Sequence, residues 1–264
     1  ERKVREFAYS YEKEGYVSPD LSILAEHVTR SGVRDVTLQK RPDNIFWCVL
    51  ENGRIAAMTY DRDHEVVGWH EHTTNGRFIS VCTIPDGEDE TLYLAVKRND
   101  QMCIEQMGKR EFDQISECCY LDSALKYEAK DGELLKSLPY MYHLEGMTVS
   151  VLADGAVQKM KQVSGGRIEL DVPASYVWVG LPYVSTLSPM PFEFDLQNGS
   201  SQLRKKAVGH IRVRVYDSVG GEISCGEDRE FEIISRDHGD LLDSAHRVQV
   251  IGARGFHAQV FLGD

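Results

Sequence analysis

Two hairpin signatures, one following the other along the chain, limit its fold more than any other feature. Ile45-Phe46-Trp47-Cys48-Val49 followed by Glu51-Asn52-Gly53 is answered by Leu92-Tyr93-Leu94-Ala95-Val96 followed by Arg98-Asn99-Asp100, an offset of 92 − 45 = 47 residues. Each copy is a run of aromatic and β-branched residues, then a two-residue turn signal, then a second apolar run (Ile55 to Tyr60, Met102 to Met107). That order predicts a β-hairpin, because an Asn-Gly turn supplies the positive φ that a tight reversal needs, and Asn-Asp does so less well. A period of roughly 40 to 50 residues with several strands per unit is the pattern of propeller blades. The region holds about two such units, too few to close a ring.

Period-two patterns surround these runs. Val36 and Leu38, Val66 to Trp69 and Phe78 to Ile84 extend the blade region. From Leu144 onward a second β pattern begins with Met147 to Leu152, the turn Ala153-Asp154-Gly155-Ala156, Val157 to Val163, the turn Ser164-Gly165-Gly166, Ile168 to Leu170 and Tyr176 to Gly180. Short strands with Asp-Gly and Gly-Gly turns between them predict a small antiparallel barrel or sandwich. Leu121 to Tyr127 reads as a last blade strand leading out, and Lys130 to Pro139 as a polar connecting loop. Near the start, Ser18 before Pro19, Asp20 in the first turn and Leu21, Leu24, Ala25 and Val28 on one face predict a short helix stopped at Ser31-Gly32. The expected fold is therefore mainly β: partial propeller-like blades, then a small antiparallel barrel or sandwich, with one short N-terminal helix. Its expected divisions are residues 1–32, 33–141 and 142–264.

Charge bears on partners. Lys and Arg number 30 against 42 Asp and Glu, a net charge of −12, which argues against affinity for phosphate backbones. Either this charge is a solvated, anti-aggregation surface, or part of it lines a path along which another polyanion moves without sticking. The one dense basic cluster is Arg204-Lys205-Lys206, followed by a strand-like run whose Arg212 and Arg214 share a face. In so acidic a chain these five residues are candidates for contact with an acidic partner protein rather than with nucleic acid. The six cysteines (48, 82, 103, 118, 119 and 225) show no C-x-x-C spacing. Free thiols are expected, those in apolar runs behaving as small core hydrophobes and the adjacent Cys118 and Cys119 facing opposite sides of a strand. No apolar run approaches the length that spans a membrane and no signal peptide is visible, and the chain is expected to be part of a longer polypeptide.

The one arrangement with metal-ligand spacing is Trp69-His70-Glu71-His72, where alternate histidines on a strand point to one face, with Asp61, Asp63 and His64 nearby in sequence. A solvent-facing polar strand is the plainer reading, and no metal or cofactor is assigned. Carboxylates such as Asp86, Glu88, Asp89 and Glu90 lie in an acidic turn, where solvation explains them better than glycoside chemistry. Trp47, Trp69 and Trp178 lie in strand runs and are expected in the core. No phosphate loop, dinucleotide fingerprint, nucleophile elbow or H-E-x-x-H helix occurs, so no catalytic residue is assigned.

Taken in order, Asp20-Leu21-Ser22-Ile23-Leu24-Ala25, Pro42-Asp43-Asn44-Ile45-Phe46-Trp47-Cys48-Val49, Asn52-Gly53, Met58 to Arg62, Val67 to His72, Ser80 to Pro85, Tyr120 to Ser123, His143 to Gly146, Asp154-Gly155, Pro173-Ala174-Ser175 and Val179 to Tyr183 resemble the tail nozzle, or tail tubular protein B-like, family of bacteriophage virions. The likeness covers most of the chain and weakens towards its end. It implies a virion structural protein without enzymatic activity or cofactor, made in the host bacterial cytoplasm. It implies a ring of subunits, six in the family, around the channel through which DNA leaves the capsid. Portal or adaptor and other tail proteins would be its partners, with DNA passing without sequence-specific binding and no membrane span. An acidic channel wall would then repel phosphates. The alternative from the residues alone is a propeller module that binds or hydrolyses glycans, with its mouth at His70 and His72 or at Asp86 to Glu90.

Overall fold

The computed structural model describes residues 1–109, 114–130 and 132–187, together with short paired strands at 195–196, 199–201, 211–214, 222–223, 232–233 and 259–262. The fold is mainly β, built of small antiparallel sheets. Among the described residues there is neither a helix of seven residues nor a closed barrel. The chain divides into two compact units, Glu1–Gly108 with Tyr142–Leu144, and the described parts of Lys109–Met141 and Glu145–Asp264.

The first unit opens with a hairpin of β1 (Ala8–Ser10) and β2 (Gly15–Val17). Then comes a four-stranded meander of β3 (Val33–Gln39), β4 (Ile45–Leu50), β5 (Ile55–Asp61) and β6 (Val66–His72), and a three-stranded one of β7 (Arg77–Asp86), β8 (Asp89–Arg98) and β9 (Gln101–Gln106). Both sequence hairpins form, as β4–β5 and β8–β9. Strands β3, β4 and β5 begin at 33, 45 and 55 and β7, β8 and β9 at 77, 89 and 101, so the structural offsets are 44, 44 and 46 residues. The first turn differs from expectation. Leu50 and Arg54 flank a three-residue loop in which only Gly53 has a positive φ, +84°, as in a type I turn closed by a left-handed residue. The second is the two-residue reversal at Asn99-Asp100, with φ +49° at Asn99.

Alternation sends Ile45, Trp47, Val49, Ile55 and Ala57 to one side of the first meander, where they share a core with Phe78, Val81, Leu92, Leu94 and Val96. Burial of such side chains contributes about 1.5–3 kcal/mol each. Along the shared margin β3 and β7 are joined by side chains rather than by a ladder. Asp35 accepts from Ser80 Oγ (2.5 Å) and Val81 N (3.1 Å), and the Thr37 and Thr83 hydroxyls meet at 3.1 Å. The opposite face of β4 and β5 (Cys48, Leu50, Ala56) is covered by Ala25, Val28 and half-buried Val4 of the N-terminal segment.

That segment corrects the expected helix. Asp20 folds back to accept from Ser22 N (3.0 Å) and Ser22 Oγ (2.7 Å), a local turn that competes with helical bonding. Residues 4–6 hold it extended through Leu21 N to Val4 O (2.9 Å) and Glu6 N to Pro19 O (3.1 Å). Separate three-residue turns follow, Ala25 N to Ser22 O and Val28 N to Ala25 O, so the buried positions fall at 22, 25 and 28 while Leu24 is 93% exposed.

In the second unit, β10 (Asp122–Glu128), β15 (Tyr176–Leu181), β12 (Thr148–Ala153) and β13 (Ala156–Gln162) form one sheet in that order, and β11 (Leu135–Leu138) pairs with β14 (Ile168–Ala174). The strand read as leaving the blades is thus β10, drawn to β15 by the pairs Leu125↔Val179 and Tyr127↔Val177. The expected polar connector contains β11, whose Leu138 is fully buried. Val149, Val151, Val177, Val179, Val163 and Ile168 are buried with it. The Asp154-Gly155 turn forms with positive φ at both residues. Gly165 and Gly166 also have positive φ, and each N–H is held by a carboxylate oxygen of Glu145, at 2.8 and 2.6 Å. Beyond that turn β13 and β14 part. The Gln158 side chain spans the gap, accepting from Asp171 N (3.0 Å) and donating to Val172 O (2.8 Å), and Lys161 pairs with Asp171.

Cys48 is buried, and the low polarity around it raises its thiol pKa to about 12. Cys82 is exposed, contrary to expectation, because it alternates with the inward Val81. Cys118 and Cys119 lie just after a single 3-10 turn (Ile115–Glu117) and in no strand, so opposite faces do not arise. Cys225 lies outside the described residues.

Candidate functional site

The end of β6 gathers the most chemistry-bearing side chains. The register places His70 opposite Ala57 and His72 opposite Ile55, and Ala57 in turn opposite Trp47, so both imidazoles lie on the face that carries Trp47. Their ring centroids are 4.9 Å apart, and Trp47 lies 6.1 Å from His70 and 5.4 Å from His72. Trp47 is fixed by its indole N–H, which donates to Gln39 Oε1 at 3.1 Å. His70 is exposed at the rim, whereas the Nε2 of half-buried His72 is buried and, among the described residues, without a hydrogen-bond partner. Burial, with the neighbouring His70 as a smaller cause, lowers the His72 pKa to about 4, so this imidazole is neutral at pH 7.

The acids expected near the pair are elsewhere. Asp61 faces Val66 at the opposite end of the β5–β6 ladder, about 13–20 Å away at strand rise. There Asp61 accepts from His64 Nδ1 (2.8 Å) and from the backbone of Asp63 and His64, and the His64 ring holds its carboxyl below the usual range. Glu71 alternates to the other face and pairs with Arg54 at 3.2 Å. Among the described residues, no three of His, Cys, Asp and Glu converge as a ligand set.

The acidic turn is part brace. Glu90 accepts from Lys40 N at 2.5 Å, and its carbonyl accepts from Gln39 Nε2 at 2.7 Å, which ties the β8 end to β3 and through Gln39 to Trp47. Glu88 and Asp89 are exposed. Of the basic candidates, Arg204, Lys205 and Lys206 lie outside the described residues. Arg212 and Arg214 belong to the strand Ile211–Arg214, in register with Phe261 and Gln259 of Gln259–Leu262.

Two groups escaped the sequence reading. Phe7, Tyr9, Tyr11 and Tyr16 form an exposed aromatic cluster on β1–β2, with Phe7 and Tyr16 stacked at 4.9 Å and Tyr9 edge-on to Tyr16 at 5.5 Å. The alternation of Phe7, Tyr9 and Tyr11 signalled it, but Tyr16 joins only through the Tyr9↔Tyr16 pairing. Arg98, almost wholly buried, donates to both Glu105 oxygens (2.5 and 2.7 Å) and to Asn75 O (2.7 Å). It occupied the position of a turn signal, which concealed it. No protein-family model matches the chain, and no curated protein matches it.

Proposed function

We propose that the chain is a structural component of a phage tail, nozzle-like, contributing to a ring around a DNA channel and joining portal or adaptor to more distal tail parts. The observation that carries this reading is the ordered series of motifs from Asp20 to Tyr183 that resembles the tail nozzle family. A mainly β fold of braced hairpins suits a wall, and −12 suits a surface past which DNA slides. Such a ring uses two different patches per subunit, each docking on its neighbour. Electron microscopy of the full gene product should reveal rings with a central hole whose lining is acidic. A monodisperse monomer, or a ring with a basic bore, would remove the proposal.

One observation favours a second reading, a glycan-binding module. The exposed Phe7, Tyr9, Tyr11 and Tyr16 cluster is a stacking surface of the kind sugar rings use, with Glu12 and Glu14 in the adjoining turn. Its place is β1–β2, not the His70 or Asp86 edges. Saturable glycan binding lost in Tyr16→Ala would favour it over the tail reading.

A further inference from the structure

We propose that the outer edge of β9 pairs antiparallel with β9 of a second copy of this chain, joining two three-stranded meanders into one continuous sheet across a two-fold axis. The inference is independent of the tail reading. The main chain of β9 has two sides. Arg98 and Gln101 flank the two-residue reversal at Asn99-Asp100, and Met107 N donates to Leu92 O at 2.9 Å, so Gln101, Cys103 and Glu105 turn their N–H and C=O groups towards β8. Met102, Ile104 and Gln106 turn theirs away. In the first meander the third strand, β5, gives its outer side to β6, whereas among the described residues no strand follows β9 in its sheet.

This edge lacks the devices that keep exposed strands from pairing. Its ladder with β8 is regular over six residue pairs, without a bulge, and β9 contains neither proline nor lysine. Its one charged residue, Glu105, lies opposite the buried Leu94, on the core side, and is held by Arg98. The outer strands β6, β10 and β13 carry charge instead, as Glu71, as Lys126 and Glu128, and as Lys159 and Lys161. On the other face of β9, Ile104 is 76% exposed and Met102 58%. Complementarity selects a second copy. Antiparallel pairing centred on Ile104 sets Ile104 against Ile104, Met102 against Gln106 and Cys103 against Glu105 of the second copy, so no like charges meet and each Glu105 keeps its Arg98. About six main-chain hydrogen bonds then form, from the outward groups of Met102, Ile104 and Gln106 in each copy. The two isoleucines, adjacent across the axis, leave water together.

Sedimentation of the full chain across micromolar concentrations should give a reversible monomer–dimer equilibrium. Hydrogen exchange read residue by residue supplies the register. The Met102, Ile104 and Gln106 amides should exchange openly when the chain is dilute and slow at least about tenfold where the dimer predominates, while the Cys103 amide, bonded to β8, is protected at both concentrations. Ile104→Lys sets two like charges side by side at the axis and should raise the dissociation constant at least about tenfold. Ile104→Pro removes an outward N–H while sparing the β8 ladder, and should weaken the dimer to a similar extent. Val157→Lys, at an exposed position of β13, should leave association unchanged. Should either Ile104 variant fail to fold by circular dichroism, the exchange pattern of the unaltered chain decides alone. A chain that stays monomeric throughout, a dimer undiminished by both folded Ile104 variants, association lost equally in Val157→Lys, or an assembly in which the three outward amides exchange as freely as in the monomer would overturn the proposal.

Discussion

Arg98 owes its place to what its guanidinium replaces. At 2% exposure it makes charge-assisted bonds to both Glu105 oxygens and to Asn75 O, so the cation is buried among partners that replace its hydration. Removing one partner of such a pair is costly, and Arg98→Ala is expected to lower stability by about 3 kcal/mol in denaturant unfolding, with the chain still folded at neutral pH. Asp154 offers a gentler test through pH. Its carboxylate accepts from Ser175 N, Ser175 Oγ and Tyr176 N, and the Ser175 backbone bond is the chief reason its pKa lies below the ordinary value. A folded pKa depressed in this way means that the unfolded chain binds the proton more readily. The contribution is therefore complete above the unfolded value near about 4 and is lost as pH falls through the folded one. Asp154→Asn suits the same positive-φ turn and should flatten the acid limb of the stability curve while leaving the fold intact, as a pH series of thermal melts would show.

At the scale of elements, the strands were legible because alternation of apolar residues reports directly on a sheet with one face in a core, and the β4–β5 and β8–β9 hairpins and the Asp154-Gly155 turn follow from it. Asp20 explains the failed helix. The same residue that reads as a first-turn acid binds Ser22 locally, and only the pairing of residues 4–6 with 19–22, eighteen positions apart for Val4 and Ser22, selects the second outcome. The β10 strand was legible as a strand but not as a partner of β15, since sequence carries no direct record of pairing over some fifty residues. The histidine pair was visible as alternation. Its remoteness from Asp61 was not, because closeness in sequence along a hairpin becomes distance along a ladder. Where β13 and β14 separate, one side chain substitutes for backbone pairing. Gln158→Ala should cost about 1 kcal/mol and speed amide hydrogen exchange at Asp171 and Val172, with Leu152 on the paired β12 unaffected.

For the whole molecule, division into two compact units predicts that calorimetry of the full chain resolves two transitions. Arg98→Ala should lower one and Gln158→Ala the other, since the two residues belong to different units. A single transition moved by both variants would show the units to be energetically one. Within each unit, one pair of described strands is joined by side chains rather than by a ladder: Asp35 and Thr37 reaching β7 in the first, Gln158 and Lys161 reaching β14 in the second. Such stitching ruptures one contact at a time, whereas a ladder pulled lengthwise must break many bonds together. Under mechanical stretching in a force-spectroscopy trap, both units should therefore tear first along these lines, at lower force than shearing their sheets requires.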